Sequence, residues 1–392
     1  MQKKFMAVAV AGALAAPGLA FAQTSTVNIY GVIVENVIAG YDRGGTSVRH
    51  DFLQSHDSEL GFRGEEQLGG GLSAWFQCAS TIDLGGGPTT STFCGKNSGV
   101  GFKGGWGNAF IGMWDTPHKL MTAQFRPFST SGIFGVGSQL WSGAGSNIAN
   151  GVAGGNNTQT AASFTRRQRN LISYWSPNWG GFEAKAAFSQ ANEATAQVSA
   201  TTASKPRLWS LAGTYTNGPF AVGAAYENHK NYNTAVQANY TGGNDHNWSL
   251  GGAYTFAGVF KFSGIYSRSH YALAAAQNMN VSGWALYGDW AIMGPHRLRL
   301  GYTKGRNTRG TAGTAAAPIT VGNYLANGGA GQTGSVLYDI QYAYAFSKRT
   351  ELNFGYARVN NDNQAMHALQ TSGTGLVGQD QSAWQLGIKH TF

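Results

Sequence analysis

Residues 338–346 read YDIQYAYAF, and every second position from Tyr338 to Phe346 is aromatic or aliphatic. The positions between them are small or polar, beginning with Asp339 and Gln341. This period of two is typical of a β-strand, because successive side chains of a strand point to opposite faces. A strand that meets lipid on one face and water on the other has such a composition. The stretch therefore predicts a membrane-spanning strand of a β-barrel.

The alternation recurs along the chain, for example in residues 247–256 and 384–389. Long polar breaks separate the segments, at roughly 40–50, 84–97, 115–165, 191–205, 229–246, 269–280, 307–334 and 360–380. Short breaks such as 104–108 and 293–295 lie between the long ones. Eight long loops joined through seven short turns predict an all-β, transmembrane antiparallel β-barrel of about sixteen strands, with both termini at the short-turn side. A barrel of that width encloses a water-filled lumen.

The composition excludes several classes of protein. Glycine occurs 57 times among 392 residues, aromatic residues reach 12%, and charged residues only 11%. These values argue against a soluble helical enzyme and against a disordered chain. A secreted β-sandwich also alternates, but its surface would carry more charge than this chain offers. The membrane barrel is therefore the favoured interpretation.

Residues 1–22 have the features of a secretory signal peptide. Lys3 and Lys4 precede an apolar stretch, and residues 20–22 read AFA, which is a small-residue cleavage site. A membrane anchor is the alternative, but Pro17 and Gly18 interrupt the segment. The sequence thus predicts a signal peptide at 1–22 and a barrel domain at 23–392, located in the outer membrane. Removing two lysines lowers the formal charge from +9 to +7, and an exported chain without long basic runs is not expected to bind nucleic acid.

The two cysteines, Cys78 and Cys94, are compatible with one intrachain disulfide in an oxidising periplasm. They lack further cysteines or histidines at metal-finger spacing, so we expect no metal site and no cofactor. The nine histidines are scattered, and no nucleophile elbow or HExxH run accompanies them. We therefore do not expect an enzyme, although a triad assembled from distant positions stays open as an alternative.

Four blocks of sequence resemble the trimeric general porins of betaproteobacteria. These blocks are residues 27–32 (VNIYGV), 60–72 (LGFRGEEQLGGGL), 169–177 (RNLISYWSP) and 387–392 (GIKHTF). The resemblance implies a homotrimer in contact with outer-membrane lipid and lipopolysaccharide, and a channel for passive diffusion of small hydrophilic solutes and ions. It also implies that Phe392 carries an assembly signal. The chain departs from the family pattern at Val34, at Glu59 and at Gly112-Met113, so pore selectivity does not carry over directly.

The resemblance further implies that the longest break, 115–165, is a constriction loop folded into the lumen. This break contains Lys119 and Arg126 but a single acid, Asp115. Strand parity adds lumen-facing candidates on the wall: Glu59, Arg63, Arg167, Arg169, Lys185, Arg297 and Arg299. A ring with more positive than negative charge favours anions, so we expect weak anion selectivity. A substrate-selective channel for organic anions is the alternative. An outer-membrane barrel enzyme is a more distant alternative. The loop residues Phe125, Phe128, Phe134 and Trp141 form either an aromatic slide for solutes or a packing surface against the wall.

Overall fold

The computed structural model describes residues 26–43, 48–84, 93–128, 132–134, 163–190, 198–199, 202–203, 207–230, 243–274, 276–321, 324–369 and 377–392. The segment 1–22 and Trp141 lie outside the described residues. The strands are β1 (Thr26–Arg43), β2 (Val48–Ser55), β3 (Glu59–Gly69), β4 (Leu72–Thr81), β5 (Ser98–Gly104), β6 (Gly107–Asp115), β7 (Arg167–Trp175), β8 (Phe182–Ser189), β9 (Val198–Ser199), β10 (Thr202–Ala203), β11 (Arg207–Asn217), β12 (Phe220–Lys230), β13 (Asn244–Phe256), β14 (Phe260–Ala274), β15 (Gln277–Met293), β16 (His296–Gly305), β17 (Arg309–Gly310), β18 (Ile319–Val321), β19 (Tyr324–Ala326), β20 (Ser335–Ala345), β21 (Thr350–Asn361) and β22 (Asp380–Thr391). A helix, α1 (Pro117–Ala123), follows β6.

The main sheet closes into a barrel of sixteen antiparallel strands, which confirms the predicted fold. Eighteen strands are hydrogen-bonded in this sheet. The strands β2 and β3 both pair with β1 and together form one interrupted strand, while β17 is a two-residue addition beside β15. Pairing of β1 with β22 closes the ring. At this seam the N–H of Gly31 donates to the carbonyl of Phe392, and the N–H of Phe392 donates to the carbonyl of Gly31.

The two faces of the wall differ in the way that the alternation predicts. On β13 the outward side chains of Leu250 and Tyr254 are 51% and 44% exposed, whereas the inward Asn247 and Ser249 are 0% and 1% exposed. Outward hydrophobic side chains are exposed on strand after strand, as expected for a belt that faces the hydrocarbon core of the membrane. No helix within the described ranges is long and apolar enough to cross a membrane.

Two of the long loops predicted from the sequence are wrong, because most of their residues belong to strands. The region 40–50 belongs mainly to β1 and β2, whose pairing extends to Asp42 opposite Val48. The region 269–280 belongs mainly to β14 and β15, which remain paired as far as Ala274 opposite Gln277. At the ends of β14 and β15 the inward side chains of Tyr271, Leu273 and Met279 are buried in an apolar cluster beneath the loops. The outward side chains of His270 and Asn280 are polar and contact each other. The pattern of apolar outward and polar inward residues is therefore absent there, although the ladder continues.

Candidate pore constriction

The chain leaves β6 at Asp115 and turns into the barrel rather than away from it. Thr116 caps α1 because its hydroxyl accepts a hydrogen bond from the N–H of Lys119, and Pro117 occupies the first helical turn. The helix packs against the inner face of β8, β11, β12 and β13. The segment that begins at Thr116 therefore narrows the lumen from one side.

A buried polar network fixes this helix to the wall. The N–H of His118 donates to Oγ of Ser210 at 3.0 Å, and Nδ1 of His118 lies 3.0 Å from the carbonyl oxygen of Phe164. On the other side of the ring, Nε2 contacts the side chains of Asn247 at 2.7 Å and Ser249 at 2.9 Å. His118 is fully buried, and this burial lowers its pKa. The contacts tie both ends of the loop, near residues 118 and 164, to β11 and β13.

Phenylalanines attach the following part of the loop to the wall. Phe125, Phe128 and Phe134 are 0%, 2% and 2% exposed. Each ring lies against a wall glycine, where an added Cβ would meet the ring: Phe125 against Gly251, Phe128 against Gly301 and Phe134 against Gly355. These rings pack against the wall, so they form no aromatic slide along the open lumen. Small residues on the inner face are thus needed to receive the loop.

Charged residues form a cluster where the loop leaves the wall. Asp115 accepts from Lys119 at 2.8 Å and lies 3.3 Å from Nε of Arg167, so the only acid of the predicted loop is shared by two bases. Nζ of Lys96 lies 3.5 Å from Glu59 and 3.9 Å from Asp57, so this base is shared by two acids. Parity could not identify Lys96, because it lies within a predicted loop where no alternation applies.

The remaining basic residues near the loop contribute unequally to the open lumen. Arg166 is fully buried, and the Nε atom of Arg126 is shielded from solvent. Arg169 is partly exposed at the start of β7. A solute in the lumen therefore meets less positive charge between residues 115 and 169 than the sequence suggests. There the bases are Lys119, Arg126, Arg166, Arg167 and Arg169, and the single acid is Asp115.

Further toward the short turns, opposite charges on neighbouring inward positions form pairs. The pairs with their shortest N to O distances are Lys103–Glu65 at 2.6 Å, Lys185–Glu183 at 3.0 Å, Arg297–Asp289 at 2.8 Å and Arg299–Glu351 at 3.1 Å. Three inward bases have no ion-pair partner within the described part of the chain: Arg63, which lies 5.0 Å from the centre of the Tyr30 ring, Lys261 and Lys389. Lys261 donates to the carbonyl oxygen of Gln124 at 3.0 Å. The inner wall thus carries an excess of positive charge.

Cys78 on β4 and Cys94 in the following loop are joined by a disulfide, with their Cα atoms 4.7 Å apart. The N–H of Cys94 also donates to Oγ of Ser80. Both residues lie at the long-loop end of the barrel, and the segment 85–92 between them is outside the described residues. The bridge closes the base of the second long loop.

Comparisons with known proteins agree with this geometry. The family described as "Gram-negative porin" matches residues 7–364 of the chain. Outer membrane porin protein 32 of Delftia acidovorans is 28% identical over 400 residues, covering 100% of both chains. An outer membrane porin protein of Bordetella pertussis is 27% identical over 294 residues, covering 69% of this chain and 70% of that protein. The solved structure of the anion-selective porin from Comamonas acidovorans superposes with a TM-score of 0.74 at 23% identity, covering 94% of this chain and 100% of that one.

The family match covers most of the chain, and the barrel has the same overall fold as the solved neighbour. This chain therefore belongs to the Gram-negative porin family and forms a channel in the outer membrane.

Proposed function

We propose that this porin allows passive diffusion of small hydrophilic solutes and ions and weakly prefers anions. The observation that carries the proposal is the charge balance of the lumen. The inward acids Glu59, Glu65 and Glu183 each lie beside a base, whereas Arg63 and Lys389 face the lumen without an ion-pair partner among the described residues. The similar structure named an anion-selective porin supports the same direction of preference.

Electrostatics explains why we expect the preference to be weak. A close ion pair cancels most of its field over the distance to the centre of a wide pore, so the unpaired bases dominate the potential. Salt screens that potential over about 10 Å at 0.1 M. A solute in the middle of the lumen is therefore only partly influenced by the wall, and the preference should increase as the salt concentration falls.

Of the basic residues expected from the sequence, this proposal keeps Arg63 and gives less weight to those of the loop. Lys119 and Arg167 share Asp115, which cancels one of their two charges, so together they supply less field than two free bases. The principal contribution is assigned to Arg63, Lys261 and Lys389, which lie between the constriction and the short turns. Substrate selection for organic anions stays the alternative, because the same bases would bind a carboxylate.

We also propose that the barrel assembles as a homotrimer through the outer face of β1 to β3. Glu35 lies in the middle of β1, at an outward position between Ser55 and Ile388. Its Oε1 atom is inaccessible to solvent and has no hydrogen-bond partner in the described structure. A carboxylate at mid-membrane depth is costly against lipid, so a partner subunit covering this face is favoured. A complex in mild detergent with the mass of a single chain would contradict this assignment.

The test of ion preference is a reversal potential in a planar bilayer with a tenfold salt gradient. We expect a reversal potential whose sign indicates anion selectivity. Its magnitude should increase when both salt concentrations are lowered together. Replacing Arg63→Gln and Lys389→Gln should reduce the potential without closing the channel, whereas the outward-facing control Arg49→Gln should leave it unchanged. Cation selectivity of the native protein would overturn the proposal, and saturating conductance with one organic anion would favour the substrate-selective alternative.

Further parts of the proposal concern export and activity. The segment 1–22 is proposed to be removed during export, so amino-terminal sequencing of the protein from outer membranes should begin at Gln23. The channel is proposed to have no enzymatic activity. Hydrolysis of phospholipid or of an ester substrate by the pure protein, abolished by a single histidine substitution, would contradict this.

A further inference from the structure

On the outer surface of β13 to β16, the type of side chain changes toward the long-loop end of the barrel. Exposed aliphatic residues such as Leu250 and Leu286 are followed by paired aromatic rings. Trp248 lies near Tyr266 with ring centres 5.2 Å apart, and Trp284 lies near Tyr302 at the same distance. Aromatic belts mark the boundary between hydrocarbon and headgroups. Residues just beyond these rings therefore lie at headgroup depth.

Four basic residues occupy that level on adjacent strands, and we call them the basic outer patch: Arg268, Lys304, Arg306 and Arg309. Arg268 lies opposite Ser282 on the neighbouring strand, and the N–H of Arg306 donates to the carbonyl of Ser282 from the other side. The two arginines thus flank one residue, roughly 10 Å apart at their backbones, given the usual strand spacing. Their long side chains can reach a single anion between them.

The patch extends one step further from the membrane core. Arg309 lies opposite Asn280, and Nδ1 of His270 lies 3.0 Å from Oδ1 of the same asparagine. Lys304 lies opposite Trp284, directly beside the aromatic belt. The patch therefore offers cations at two depths, with amide, hydroxyl and imidazole groups between them.

No carboxylate balances these charges within the described residues. The acids on β13 and β15, Asp245 and Asp289, both face inward, as their buried and inward-paired neighbours show. Two outward bases elsewhere on the barrel do have acidic partners: Arg49 pairs with Asp51 at 2.7 Å and Arg358 with Asp380 at 3.2 Å. The basic outer patch is therefore a local excess of positive charge at a depth where lipid headgroups lie.

We propose that the basic outer patch binds the phosphate groups of lipopolysaccharide in the outer leaflet. The long loops of a bacterial barrel face the cell exterior, and this patch lies at that end. Clustered arginine and lysine at the membrane surface bind anionic lipid headgroups, and the planar arginine fork suits phosphate. The inference deepens the proposed function and rests on its outer-membrane lipid partner. It places that lipid on β13 to β16, away from the face proposed for subunit contact.

The test compares binding of bisphosphorylated lipid A with binding of the same lipid after enzymatic removal of its phosphates. Detergent-solubilised porin, freed of lipid and then mixed with a measured amount of each lipid, would be analysed by native mass spectrometry. For Arg268→Gln combined with Arg306→Gln, we expect roughly 30-fold weaker binding of the phosphorylated lipid, since each base near an anionic surface contributes about fivefold. The dephosphorylated lipid should bind both proteins equally weakly.

The matched control is Arg49→Gln combined with Arg358→Gln, which removes two outward bases that already have acidic partners. This control should bind phosphorylated lipid A within about threefold of the native protein. Equal loss in both double variants, or equal binding of the two lipids by the native protein, would overturn the proposal. Conductance in a planar bilayer should be unchanged in all variants, so a failure of lipid binding is distinguishable from a failure of channel function.

Discussion

Nε2 of His118 lies 2.7 Å from Oδ1 of Asn247, and this contact joins positions 129 residues apart. It is the centre of the network that holds α1 against the barrel wall. Ser249 is part of the same network, and Asn247 continues it to Ser267 and Ser269 on β14. The position of the constriction therefore depends on polar contacts that are shielded from water by the loop itself.

Replacing His118→Ala should loosen this attachment. The change leaves the buried carbonyl of Phe164 without its side-chain partner and removes one of several contacts of Asn247. An unsatisfied buried polar group costs about 1–3 kcal/mol. We expect more frequent conductance fluctuations and a lower thermal transition of the loop, with the barrel intact. Single-channel recordings provide the measurement, and His296→Ala, on the outer surface at a short turn, is the matched control. Recordings as quiet as those of the native channel would show that the phenylalanines alone hold the loop.

The disulfide between Cys78 and Cys94 should stabilise the second long loop. Closing a loop of this length contributes on the order of 3 kcal/mol in the chain-entropy model. Cys78→Ser combined with Cys94→Ser should therefore increase proteolysis between these positions, while conductance is retained. Mass spectrometry of protein kept from reductant should find no free thiol. Two free thiols in natively assembled material would contradict the bridge.

Acid should release the loop segment around His367. Burial lowers the pKa of His367 to about 4, and its ring packs edge-on against Tyr324 at 4.9 Å. The folded pKa is below the unfolded value of about 6.5, so the docked state binds fewer protons and its stability is complete above pH 6.5. That stability is lost as the pH falls from about 6.5 toward about 4.

Hydrogen exchange measures this release directly. After correction for intrinsic exchange, we expect protection of residues 362–369 to fall roughly 50- to 100-fold between about pH 7 and about pH 4.5. His367→Phe retains an aromatic ring but cannot titrate, so its protection should change little over the same range. An equal fall in this variant would assign the effect to another group.

Phe392 is proposed to act as an assembly signal, and the structure adds a second role for its backbone. Its main chain makes both hydrogen bonds with Gly31 at the seam, and its ring contacts the Cα side of Gly31. Deleting Phe392 removes both the assembly signal and the backbone hydrogen bonds with Gly31. The substitution Phe392→Ala removes the aromatic ring but keeps these hydrogen bonds. We expect Phe392→Ala to reduce outer-membrane levels in cells but to refold normally in detergent. Trp384→Ala, on the same outward face of β22, is the control and should assemble at native levels.

The sequence by itself determined the class of fold, because the period of two is a local property. Tyr338, Ile340 and Tyr342 face lipid whatever their distant neighbours are, and turn residues such as those at 293–295 end strands locally. The strand count followed from these signals. Toward the long-loop ends of β14 and β15 this signal disappears, because the inward Tyr271 and Met279 pack in an apolar cluster instead of facing water.

Only the tertiary structure decided which charges act in the pore. Arg166 and Arg167 are neighbours in sequence, yet one is fully buried and the other lies beside Asp115. Lys96, which the alternation could not place, lies within ion-pair distance of both Glu59 and Asp57. A charge affects a solute only through what surrounds it, and those surroundings come from strands and loops far apart in the chain. The barrel fold could therefore be predicted from the local alternation of residues, whereas the electrostatics of the pore depend on long-range packing.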